Sequence, residues 1–147
     1  MRWDAPSVIA ARIFLGAALL LGGSRPVQAA DARDANRLLY RRYCGACHGP
    51  NGKGDGLVGT LLQTKPTDLT QIAKKHGGEF PTGEIEMVID GRTAVGAHGA
   101  PDMPVWGDIL REQAAMSGGQ SGWQSANQDA RRKIAFITAY LKTIQEK

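Results

Sequence analysis

Aromatic residues are scarce in this chain, 6% of its 147 positions, and cysteine is scarcer still, with two. So few large rings leave little material for a self-sufficient apolar core. The 19 glycines, nearly twice the ~7% share of an average chain, add much loop. A bound group would fill that deficit. Two cysteines and three histidines, two of these at His76 and His98, make a poor set for a structural zinc site, which takes about four ligands. No block of Lys or Arg appears: 18 basic against 14 acidic groups leaves +4, scattered along the chain, which argues against nucleic acid as a partner. No apolar run reaches the ~20 residues of a bilayer span. The length suits one ordinary domain and excludes a multidomain enzyme.

The first 29 residues carry the three parts of an export signal. Arg2 and Arg12 outweigh Asp4, residues 13–23 are apolar and uncharged, and Val27 and Ala29 supply the small residues of a cleavage site. We therefore expect a cleavable Sec-type signal over residues 1–29 and a mature domain over 30–147. That domain would lie in the periplasm, with no stable membrane insertion after cleavage. Cleavage after Ala30 and retention of the signal as an anchor are the alternatives. Losing Arg2, Arg12, Arg25 and Asp4 takes the formal charge from +4 to about +2.

Both cysteines fall in the run Tyr43-Cys44-Gly45-Ala46-Cys47-His48-Gly49, whose spacing is the signature of c-type haem attachment. Two thiols at this separation add across the two vinyl groups of one porphyrin, and the following imidazole reaches its iron. A thioredoxin-like dithiol shares the Cys-x-x-Cys core but needs a βαβ setting, and no alternating strand-like segment precedes it here. A Cys44–Cys47 disulfide would close too short a loop to stabilise much.

Three further stretches join this motif: Gly49-Pro50-Asn51-Gly52-Lys53-Gly54-Asp55-Gly56, Pro101-Asp102-Met103-Pro104-Val105-Trp106-Gly107, and a closing Ala139-Tyr140-Leu141. Together they resemble a class I cytochrome c over essentially the whole mature chain. The resemblance implies an all-α fold, three to five helices packed around one covalent haem c. It implies thioethers from Cys44 and Cys47, His48 as the proximal iron ligand, and an electron carrier rather than an enzyme, with one-electron outer-sphere transfer. Periplasmic dehydrogenases and a terminal oxidase or reductase are the implied partners. Two other classes stay open, a cytochrome subunit of a larger periplasmic oxidoreductase and a small haem enzyme with a labile distal ligand. Leu57 stands where many relatives carry proline, and a polar insertion precedes the last helix.

Met103 is the expected distal ligand. Pro101 and Pro104 restrict the backbone around it, which favours an extended loop holding a thioether over a flat ring. His98 is its competitor. Met87, inside a helical pattern, reads as core filler, and Met116 lies in a polar stretch. Arg92 reads as a propionate partner or a surface group, Trp106 as a packing residue near the haem or an indole donor to a propionate, and Tyr43 with Tyr140 either as an aromatic contact between first and last helices or as simple core packing. Arg41, Arg42, Lys74, Lys75, Arg131, Arg132 and Lys133 form either a docking ring or plain solvated faces.

Periodicity predicts a helix over 34–43 with Leu38 and Leu39 as its apolar stripe. Five glycines at 49–59 would let backbone approach a flat ligand. Asp68 reads as an N-cap, and Thr82 as the cap of a helix running to Asp90 and stopping at Gly91. Ser125 and Gln128 have capping-box spacing before a final helix, with Ala130, Ile134, Ile137, Leu141 and Ile144 on one stripe. Residues 113–127 read as a polar flexible loop, with Trp123 its anchor.

Overall fold

The structure, a computed structural model, describes residues 26–93, 103–117 and 122–147. Among these residues all regular structure is helical: α1 (Pro26–Tyr43), α2 (Gly45–His48), α3 (Ile72–Lys75), α4 (Thr82–Asp90), α5 (Trp106–Ser117) and α6 (Trp123–Thr143). Short 3-10 turns occupy Gly59–Leu61 and Leu69–Gln71, and no strand is present. Four of these six helices exceed a single turn, against the three to five expected. Most of the expected signal, and His98 with Pro101, lie outside the described residues.

The 21-residue α6 is the element on which the others pack. Its predicted stripe is buried at Ala130, Ile134, Ile137 and Leu141, with Ile144 partly buried, and Ala126 extends it by one turn toward the N-terminus. α1, α4 and α5 all lie against this face. Tyr40 of α1 meets Tyr140 with ring centroids 4.8 Å apart, and Leu110 of α5 is wholly buried. The expected Tyr43–Tyr140 pair does not form. Tyr43, three residues on from Tyr40, is rotated off the α6 seam and meets Trp106 edge-on at 5.4 Å.

Several local expectations are corrected. α1 begins at Pro26 instead of residue 34, because the Ala-, Arg- and Asp-rich stretch after Pro26 contains no breaker and proline is tolerated in a first helical turn. Leu38 is 66% exposed, and the buried face runs through Tyr40 and Cys44. The polar loop expected over 113–127 is mostly helix: Gln113 to Ser117 end α5, and Trp123 to Asn127 begin α6. Gln, Ala and Met, which recur in this stretch, are good helix formers, and Leu110 and Ala126 tie both helices to the core. α6 accordingly starts with Gly122 as N-cap and makes no side-chain cap bond, so the Ser125 capping box is not used. Pro81, not Thr82, precedes α4, again without a side-chain cap. Met87 is exposed rather than core.

Other signals are present as read. Gly91 takes φ 79° at the end of α4, its N–H donating to Val88 and the Arg92 N–H to Met87, the paired bonds of a left-handed helix stop. Asp68 accepts from the Thr70 N–H at 2.9 Å, opening the 3-10 turn that leads into α3.

The stripe on α6 carries a stability prediction. Ile137 is fully buried, so Ile137→Ala should cost about 2–5 kcal/mol, whereas exposed Leu38→Ala should stay within about 0.5 kcal/mol. Equilibrium urea unfolding checks this, and equal costs would contradict the packing described.

Candidate functional site

α1 leads directly into the Cys-x-x-Cys-His run. The Cys44 N–H still bonds the Tyr40 carbonyl at 2.8 Å, the backbone breaks at Cys44 (φ −116°, ψ −28°), and Gly45–His48 form one new turn. So short a helix leaves its last carbonyls without partners of its own. The glycine-rich loop supplies them: Val58 donates to Ala46 at 3.0 Å, Gly56 to Cys47 at 3.1 Å and Gly54 to His48 at 2.9 Å. This lacing demands glycine. A Cβ on Gly56 would fall on the Ala46 carbonyl oxygen and within 2.6 Å of the Cys47 carbonyl carbon, and one on Gly59 would fall on the Cys47 oxygen. The close approach expected of these glycines is therefore to the motif's own backbone.

Cys44, Cys47, His48 and Met103 all line one cleft, which is open to solvent on one side. Tyr43, Leu62, Pro66, Pro104 and Trp106 form its other walls, and Thr64, Lys65 and Thr67 complete it. Tyr43 also donates its hydroxyl to Gln113 at 3.1 Å, tying α1 to α5 beside the cleft.

His48 is buried, and its Nδ1 lies 3.0 Å from the Thr67 carbonyl oxygen. In the tautomer that donates from Nδ1, Nε2 carries the lone pair, the form a metal-ligating histidine takes when a backbone carbonyl orients it. Thr67 was not anticipated from the sequence. The available signal was the Pro66-Thr67-Asp68 order, with proline stiffening the chain just before an Asx turn.

The two cysteines are free thiols, not a disulfide. Burial, then the neighbouring Cys47, pushes the Cys44 thiol up to about 12. That is the opposite of the lowered thiol expected in a dithiol redox catalyst. Among the described residues no three His, Cys, Asp or Glu side chains gather as a metal-binding group. The donor set suits a c-type haem: two thiols one helical turn apart, an imidazole oriented by a carbonyl, and a thioether from a separate segment, with apolar walls between them.

Remaining candidates fall elsewhere. Arg92, read as a propionate partner or a surface group, is exposed and pairs with buried Asp90, which also accepts from Arg111 at 2.8 Å. Asp90 lies two residues back across the Gly91 stop, within direct reach of the guanidinium. His76 bonds the Ile72 carbonyl at 2.8 Å and does not line the cleft. Met116 and Trp123 are exposed, as are Arg41, Arg42, Lys74, Lys75, Arg131 and Arg132. No protein-family model matches the chain, and neither a curated protein nor a solved structure matches it. Among the described residues no helix is long and apolar enough to cross a membrane.

The lacing of the glycine loop generates a contrast between two glycines. Gly56→Ala should lower the melting temperature sharply, because only backbone surrounds the new methyl. Gly83→Ala, in α4 with open space around it, should be neutral or stabilising by up to about 1 kcal/mol. Thermal melts of both variants check this, and a neutral Gly56→Ala would contradict it.

Proposed function

We propose that the chain is an exported c-type cytochrome that carries one electron at a time between periplasmic redox proteins. The observation that carries this reading is the cleft shared by Cys44, Cys47, His48 and Met103. The first three residues come from one motif, but Met103 belongs to a distant segment, and nothing in the spacing of the motif requires it to line the same wall space.

Cys44 and Cys47 would hold a haem through thioether bonds, so that the group stays with a protein exported from the cell interior. His48 would donate nitrogen and Met103 sulfur to its iron, and such a haem, when bound, would supply a one-electron couple. The role of the remaining residues follows from what they touch. Thr67 fixes the orientation of the imidazole and raises its basicity. Tyr43 and Trp106, packed edge-on beside the cleft, exclude water from one side. Pro104, next to Met103, denies the backbone an amide that would compete for regular structure. Exposed Ala46, Leu57 and Leu61 border the motif with uncharged surface, so partners would dock there briefly over a small area.

Substitution at Met103 tests the assignment of the sulfur ligand. Oxidised wild-type protein should show the weak long-wavelength band of sulfur–iron ligation. Met103→His should keep the iron low-spin and lower the potential, since a thioether favours reduced iron more than imidazole does. Met87→Leu and Met116→Leu should change neither. Optical spectra with redox titration check this. Loss of the band in Met87→Leu, or its retention in Met103→Leu, would contradict the assignment, and high-spin iron in His98→Ala with no wild-type sulfur band would show two histidine ligands.

A further inference from the structure

The carbonyl that orients His48 belongs to a segment held in place by the last residues of the chain. Beyond α6 the backbone turns back over the stretch 69–73. Gln145 spans it with both ends of its amide, Nε2 donating to the Leu69 carbonyl at 2.9 Å and Oε1 accepting from the Ala73 N–H at 2.8 Å. The Glu146 N–H donates to the Thr70 carbonyl at 2.9 Å. The Glu146 carboxylate accepts from Gln71 at 2.6 Å and from Lys53, and Lys53 also donates to the Thr70 hydroxyl at 3.1 Å. From the other side, the Leu69 N–H bonds the Gly52 carbonyl at 2.7 Å. The segment beginning at Thr67 is thus clasped between the glycine loop and the chain terminus, and His48 takes its hydrogen bond from that segment.

We propose that Gln145 and Glu146 are positioning residues for His48: the C-terminal tail holds the 67–73 segment so that the Thr67 carbonyl stays on Nδ1, and thereby sets how strongly the imidazole donates to iron. The effect on iron rests on the proposed role of His48, whereas the clasp itself does not. A bound carbonyl makes the imidazole a stronger donor and favours oxidised iron. Loosening the tail therefore weakens that donation and raises the reduction potential. The tail is suited to such tuning because neither Gln145 nor Glu146 lines the cleft, and they act on it through the segment that carries Thr67. The Lys53 hydrogen bond, and then that of Gln71, holds Glu146 below the usual carboxylate range. This part of the clasp is accordingly complete at neutral pH and opens as the pH falls through the lowered value.

The test uses the full protein with Gln145→Met, which keeps length and removes the amide's bonds to Leu69 and Ala73 together with its local bond to the Leu141 carbonyl, and Glu146→Ala as a second, milder variant. Exchange of the His48 Nδ1 proton and of the Ala73 amide is followed by NMR, and the potential by redox titration. The proposal expects several-fold faster exchange at both positions and a raised potential, larger for Gln145→Met, with helical content unchanged. Faster exchange at Ala73 with the His48 proton and the potential both as in the wild type would overturn it, since the tail would then be merely structural. Unchanged exchange at both positions would overturn it too. Faster exchange of the His48 proton in a protein with no haem spectrum would support the clasp and remove the haem reading instead.

Discussion

A helix of four residues has no means of satisfying its own carbonyl groups, and that constraint organises the region around Cys44, Cys47 and His48. The amides of Gly54, Gly56 and Val58 must come to the carbonyls of α2, so the loop must fold back over the motif, and it can do so only where side chains are absent. Once it has, Gly52 is in place to receive the Leu69 amide. That contact brings Thr67 to His48. One shortage of hydrogen-bond partners thus fixes the loop, the following segment and the orientation of the imidazole in turn.

The long helix α6 does the complementary work. It contributes more buried residues than any other helix, mostly small and branched ones at helical spacing, which suits a chain with few aromatic rings. Four of those rings pair at two places. Tyr40 and Tyr140 lock α1 to α6, with the Tyr40 hydroxyl reaching the Gly49 carbonyl at 2.8 Å, while Tyr43 and Trp106 stand beside the cleft. On the far side, buried Asp90 draws Arg92 and Arg111 inward and links the end of α4 to α5, the helix that follows Met103.

Much of this was legible in the residues. The stripe on α6, the glycine stop at Gly91 and the turn at Asp68 each depend on local chemistry, and each is found where that chemistry predicts. The four candidate site residues line one cleft. What escaped depends on packing. Polarity misled over 113–127, because Gln and Ala form helix as readily as loop, and the burial of Leu110 and Ala126 decides between them. Leu38 and Met87 look like core by composition but face outward, since the seam with α6 selects Tyr40 and Ile89 instead. Arg92 found its carboxylate two residues away, at Asp90. Thr67 was invisible because it acts through its backbone, and side-chain type says little about where a carbonyl points.

We propose that the cleft holds a haem bonded to Cys44 and Cys47. Intact mass spectrometry under denaturing conditions tests it most directly, on protein expressed with its leader in a host that matures c-type cytochromes. The account predicts a chain beginning near Ala30 that carries the mass of one haem and stays coloured after acid-acetone extraction. A colourless chain of unmodified mass, with Cys44 and Cys47 as thiols or as a disulfide, would contradict it.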